Sequence, residues 1–220
     1  MPLMTVLAKI CGVTTLEAVE ASVGAGAAYL GFVFFPRSPR HLELDQAARL
    51  AEAARGRAKL VALVVDADDE QLGRIRDAVR PDLFQLHGTE TPARAAEVRA
   101  LTGAGVIKAL PVSSGEDLDA AVAWRDVVDH LMLDARPPKD SDRPGGVGHS
   151  FDWTLLQGRD LGGSWFLAGG LTPDNVAKAV AITGAPMVDV SSGVESAPGV
   201  KDPALIRAFL ARAKASSPKA

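Results

Sequence analysis

The spacing of apolar residues switches repeatedly between two periods along this chain. Eight short runs of five to seven residues are rich in β-branched or large apolar side chains and have the length of buried strands. They are 6–10 (VLAKI), 29–35 (YLGFVFF), 59–65 (KLVALVV), 82–86 (DLFQL), 106–110 (VIKAL), 130–134 (HLMLD), 165–169 (WFLAG) and 187–191 (MVDVS). Between and after them lie alanine-rich stretches of helical period, at 15–26, 44–56, 68–80, 91–103, 114–124, 151–158, 172–184 and 202–215. In the first of these Leu16, Val19 and Val23 keep the i, i+3, i+7 spacing that makes one apolar stripe. Gly26, Gly56, Gly103 and Gly184 stand where helices stop, because glycine adopts the left-handed turn that ends a helix without a Cβ penalty. Thr91-Pro92 and Thr172-Pro173 each pair a capping hydroxyl with a proline suited to the first helical position.

Strict alternation of strand and helix predicts parallel strands joined by right-handed crossovers. Eight such units are what closes a sheet on itself, so the expected fold is α/β, a single (β/α)8 TIM barrel over 1–214 with a disordered tail at 215–220. An open doubly wound sheet is the alternative. It ordinarily carries a glycine-rich dinucleotide fingerprint after its first strand, and KICGVTT is not one. The longest interruption, at 134–150 after the sixth strand, is rich in proline, glycine and charge, which marks a functional or mobile loop.

Composition narrows the function classes. A formal net charge of −3, with both signs interspersed, offers no basic tract for nucleic acid, so an anionic ligand has to be met by local positive features. Aromatic residues at 5% leave little for base-stacking platforms. One cysteine rules out an internal disulfide and suits a reducing compartment. The start of the chain has no secretory pattern, and no apolar run reaches the ~18 residues that a membrane span needs. A cytoplasmic protein with no membrane partner is expected. The four histidines, His41, His87, His130 and His149, show no metal-ligand spacing, so no metal is expected either.

In a barrel of this kind the chemistry lies at the C-terminal ends of the strands. Those ends are polar here. Side chains alternate along a strand, so Lys9 shares a face with Cys11, Gln85 with His87, Met132 with Asp134 and Asp189 with Ser191. If Ile10, Leu86, Leu133 and Val190 pack against helices, each of these pairs points inward. The first and eighth strands are neighbours in a closed barrel, so Lys9 and Asp189 are expected to form a buried ion pair, either purely structural or part of the substrate site. The loops LAGGLTPDN and VSSGVESAPG follow adjacent strands, and backbone N–H groups at Gly169, Gly170, Ser192 and Gly193 can make a phosphate nest. Ordinary βα turns are the competing explanation for those glycines. His87 either touches a ligand or hydrogen-bonds within the barrel, and Asp66 has no assigned role.

The series KICGVTT, GFVFFPRSPRHL, QLHGTE, VIKAL, LMLDA, GGVGHSFDW, LAGGLTPDNV and VDVSSGVESAPGVKD, running from residue 9 to 202, resembles the phosphoribosylanthranilate isomerase family. That resemblance implies an isomerase of tryptophan biosynthesis. The reaction is a cofactor-free Amadori rearrangement of N-(5-phosphoribosyl)anthranilate to 1-(2-carboxyphenylamino)-1-deoxyribulose 5-phosphate. It also implies Cys11 as general base, Asp134 as general acid and Arg40 on the anthranilate side of the substrate. Arg40 as a solvated loop charge is the plainer alternative, as are core packing for Cys11 and a helix-cap or Arg136-pairing role for Asp134. A thiol near ~8.5 is a poor base at neutral pH unless its thiolate is favoured, and Lys9 is positioned to favour it. The family commonly has Thr or Ser at Val147 and often Lys at His149, so this chain departs from the family pattern in that loop and keeps it at Cys11 and Asp134. Other sugar-phosphate barrels fit less well. An indole-glycerol-phosphate synthase needs catalytic Lys and Glu and an N-terminal extension, and a ribulose-phosphate epimerase needs metal-binding histidines. A non-catalytic binding barrel does not explain Cys11 and Asp134 together. Whether the chain is a monomer or a homodimer is open at this level.

Overall fold

The computed structural model describes residues 5–135, 150–162 and 164–216. Eight parallel strands close into a barrel in sequence order: β1 (Leu7–Cys11), β2 (Tyr29–Val33), β3 (Lys59–Val64), β4 (Leu83–Leu86), β5 (Gly105–Val112), β6 (His130–Ala135), β7 (Trp165–Leu167) and β8 (Met187–Val190). The closure is the β1–β8 ladder, which sets Lys9 opposite Asp189. The helices are α1 (Leu16–Gly24), α2 (Leu44–Ala54), α3 (Asp69–Val79), α4 (Pro92–Thr102), α5 (Gly115–Ala120), α6 (Val176–Thr183) and α7 (Pro203–Ala215). A short antiparallel pair, β9 (Glu195–Ala197) and β10 (Val200–Lys201), lies between β8 and α7.

Local chemistry accounts for the boundaries. Thr15, Asp68 and Thr91 each accept a hydrogen bond from the backbone N–H three residues on, and Pro92 opens α4. Asp202 and Pro203 do the same for α7, which continues to Ala215, while 217–220 lie outside the described residues. Gly103 and Gly184 end α4 and α6 in the left-handed conformation.

Three expectations from the pattern need correction. Thr172-Pro173 does not start a helix: α6 begins at Val176 after Asn175, and the Thr172 hydroxyl accepts from Asp174 N–H within a turn. The predicted helix at 151–158 is one 3-10 turn, Trp153–Leu156, because Asp152 takes the N–H and hydroxyl of Thr154 and Gly158 turns left-handed straight after it. The predicted helix at 114–124 is α5 followed by a 3-10 turn, Ala121–Trp124.

Burial divides the strand residues by parity. Ile10, Leu30, Leu86, Leu133 and Val190 join the layer packed against the helices. Tyr29, Val61, Leu83, Ile107, Met132, Phe166 and Met187 fill the barrel interior, where Tyr29, His130 and Phe166 meet edge to face. The four residues expected to face outward do so, and their polar neighbours are left inside.

Candidate functional site

Cys11 ends β1 and Asp134 lies at the penultimate position of β6. Around the barrel, β8 and β7 separate the two strands, so thiol and carboxyl face the interior from opposite arcs. Both are buried. Space for the thiol comes from Gly31, its register partner on β2. A Cβ there would lie 3.0 Å from both Cys11 Sγ and Lys9 Nζ.

Lys9 lies one layer below Cys11 on the same face. It has no exposed surface and donates to Asp189 Oδ1 at 2.7 Å, which is the ion pair expected from the closure. Any influence of Lys9 on a bound molecule therefore passes through Cys11 or Asp189. Burial pushes the Cys11 thiol above the ordinary range, Lys9 and Lys201 pull it down, and Asp189 pushes it up. Burial dominates, so Lys9 acts in the expected direction without making Cys11 a thiolate in the ligand-free molecule. Lys9 itself is raised despite its burial, because the Asp189 carboxylate holds it charged.

Asp134 Oδ1 accepts the N–H of Ala135 at 2.9 Å. Its Oδ2 lies 3.4 Å from His87 Nε2, each side chain being 12% exposed. His87 Nδ1 is in turn 3.1 Å from the Gln85 amide nitrogen. His87 is thus placed beside the carboxyl.

Arg40, in the loop after β2, is buried rather than solvated. Its Nε and Nη2 donate to the two oxygens of Glu195 at 2.7 and 2.8 Å, a paired geometry that fixes the guanidinium plane. Lys201 donates to Glu195 Oε1 at 2.6 Å and to the Ser191 carbonyl at 2.9 Å. Burial raises Glu195, but Arg40 and Lys201 outweigh it and hold its carboxyl below the usual range. Around Cys11, then, Lys9 and Arg40 are held charged by Asp189 and Glu195, while burial pulls Lys201 below its usual range against the attraction of Glu195.

The turns after β7 and β8 touch. Gly169 and Gly170 are both at positive φ, and Asn175 straps that turn by donating to the Gly170 carbonyl and accepting the Thr172 N–H. Ser192 and Gly193 open a 3-10 turn, Ser192–Val194, and a Cβ on Gly193 would lie 1.9 Å from the Leu171 carbonyl oxygen. Only glycine lets the second turn come this close. Gly169 also abuts the Asp134 carboxyl, since a Cβ there would be 3.0 Å from Asp134 Oδ1.

Glu195, Lys201, Gly31, Glu90 and Lys108 are site or near-site residues to which residue reasoning assigned no role. Glu195 and Lys201 stand within VESAPGVKD, but only the β9–β10 pairing shows that they share one cation-carboxylate cluster with Arg40. Val147, His149 and Arg136 lie outside the described residues. Among the described residues no cluster of His, Cys, Asp and Glu could hold a metal ion, and no helix is long and apolar enough to cross a membrane.

Comparison with known proteins bears on the family and the fold. Residues 8–212 match the family model for N-(5'phosphoribosyl)anthranilate (PRA) isomerase. An N-(5'-phosphoribosyl)anthranilate isomerase from Caulobacter sp. (strain K31) is 56% identical over 93% of this chain and 97% of its own length. Among solved structures, the phosphoribosyl anthranilate isomerase from Thermotoga maritima is 35% identical with a TM-score of 0.86, over 96% of this chain and 99% of that one. A phosphoribosyl anthranilate isomerase in complex with reduced 1-(o-carboxyphenylamino)-1-deoxyribulose 5-phosphate is 34% identical with a TM-score of 0.84, at the same coverage.

Proposed function

The chain belongs to the N-(5'-phosphoribosyl)anthranilate isomerase family, enzymes of tryptophan biosynthesis, and on that premise we propose that its barrel mouth carries out the isomerisation by acid–base catalysis without a cofactor. The substrate is N-(5-phosphoribosyl)anthranilate and the product 1-(2-carboxyphenylamino)-1-deoxyribulose 5-phosphate, whose reduced form is held by the related enzyme. The reaction runs in the cytoplasm.

Asp134 in its carboxylic acid form gives a proton to the ribose ring oxygen. The C1–O bond breaks and the anthranilate nitrogen becomes the iminium of an open-chain Schiff base. Cys11 as thiolate removes the C2 proton, and the electron pair moves to form the enolamine. Loss of the C2 hydroxyl proton and gain of one at C1 yield the ketone, so no atom is added or lost. Each proton transfer from a placed side chain contributes ~10²–10⁴-fold.

The Arg40 guanidinium suits the anthranilate carboxylate. Arg40 keeps guanidinium donors free for it, because only Nε and Nη2 engage Glu195. Gly169, Gly170, Ser192 and Gly193 take the 5-phosphate through backbone N–H groups. Lys9 and Asp189 serve the substrate from below, through the charge that they present to Cys11.

The observation that carries this reading is the pairing of an inward thiol and an inward carboxyl on opposite arcs of one barrel mouth. The test follows the fluorescence of freshly prepared substrate. Cys11→Ser and Asp134→Asn should each lower kcat by about 10²-fold or more. Parent-like turnover in either variant overturns the assignment.

A further inference from the structure

One buried ion pair near the site has no part in the proposed chemistry. Lys108, on β5, has its Nζ 2.6 Å from Glu90 Oε2, and each side chain is 4% exposed. A buried pair of this kind is weak evidence for stability, since apolar residues of equal volume often do as well. What distinguishes this pair is where its other bonds go. Glu90 accepts the N–H of Gly88 at both oxygens, at 3.2 and 2.9 Å, and Lys108 donates to the Gly88 carbonyl at 2.8 Å. The residue after His87 is gripped through both its N–H and its C=O.

A second carboxylate completes the grip. Asp66, in the turn two residues after β3, takes φ +48° although it is not glycine, and Glu90 Oε1 accepts its N–H at 2.9 Å. Asp66 Oδ1 accepts the N–H and hydroxyl of Thr89 at 2.7 and 3.0 Å. A Cβ on Gly88 would lie 2.5 Å from that same carboxylate, so the turn closes only with glycine at this position. Three neighbouring strand ends thereby fix the backbone that carries His87, and the ring it carries reaches Asp134 Oδ2 at 3.4 Å.

We propose that Glu90 and Lys108 are positioning residues: their pair clamps the Gly88 peptide and so holds the His87 ring against Asp134. The inference rests on Asp134 as the acid and extends that assignment to a network two residues deep. Gln85 also meets the ring, at Nδ1, and orients it from β4.

The test is a double-mutant cycle with His87. Glu90→Gln with Lys108→Met leaves no unpaired buried charge. If the pair positions the ring, the double variant lowers kcat by about 10-fold while KM stays within about 3-fold, because sub-ångström misplacement acts on the chemical step. In a His87→Gln background the same two changes lower kcat by less than about 2-fold, since contacts acting through one side chain are not additive. Glu90→Asp, which keeps the charge and shortens the arm, shows the same loss and the same dependence on His87, and stands in if the double variant does not fold. An unchanged kcat, or a loss of equal size with and without His87, overturns the proposal. Neither outcome touches the Asp134 assignment, which fails only if Asp134→Asn is active.

Discussion

Burial and charge pull the Cys11 thiol in opposite directions, and in the ligand-free barrel burial wins. A base with a raised pKa works only as its thiolate, so kcat/KM should still be climbing past pH ~8.5, where an unperturbed thiol is half ionised. Lys9 limits the shift. In Lys9→Met the thiolate absorbance titration should move to still higher pH, because the largest downward influence is gone and the upward influence of burial remains. A titration that does not move removes Lys9 from this role. The sharing of a face by Lys9 and Cys11 was legible in strand alternation. The outcome of the contest was not, because desolvation depends on what surrounds both residues, including Gly31 and Lys201 from other elements.

Among the elements, the turns after β7 and β8 tie position most tightly to ligand. Gly193 packs against the Leu171 carbonyl, so Gly193→Ala must push the two turns apart. If they form the phosphate nest, KM should rise by about 10-fold or more with kcat changed less, which is the signature of lost ground-state binding. Inhibition by inorganic phosphate should weaken in parallel; an unchanged KM places the phosphate elsewhere. Paired glycines on adjacent strands pointed to these loops, but Thr172-Pro173 misled. That dipeptide has the composition of a helix start, yet Asn175 bonds back across the turn to Gly170 and Thr172 and delays α6 to Val176. The shortened segment at 151–158 failed for the same reason, as Asp152 and Gly158 stop a stretch whose apolar spacing alone looks helical.

Across the whole molecule, stability and chemistry occupy different layers. Helix α7 buries Ile206, Phe209, Leu210 and Ala213 in the layer between strands and helices, away from the polar mouth. Phe209→Ala should cost about 3–5 kcal/mol in urea unfolding followed by circular dichroism. The protein that remains folded should keep its kcat/KM; a matching loss of activity argues against the separation of layers. The alternation of strand and helix outside 151–158, the parity of β1, β4, β6 and β8 and the identity of the polar residues at the strand ends were decided by the chain's own pattern, because period and burial are local properties that composition encodes. Apart from Lys9 with Asp189, the partners of those residues were decided only by the tertiary structure. Arg40 and Lys201 with Glu195, Glu90 with Lys108, and His87 with Asp134 are contacts across loops and strands. Such pairings depend on register, on desolvation and on which turns come within a few ångströms of one another, and none of these is written in a residue's neighbours along the chain.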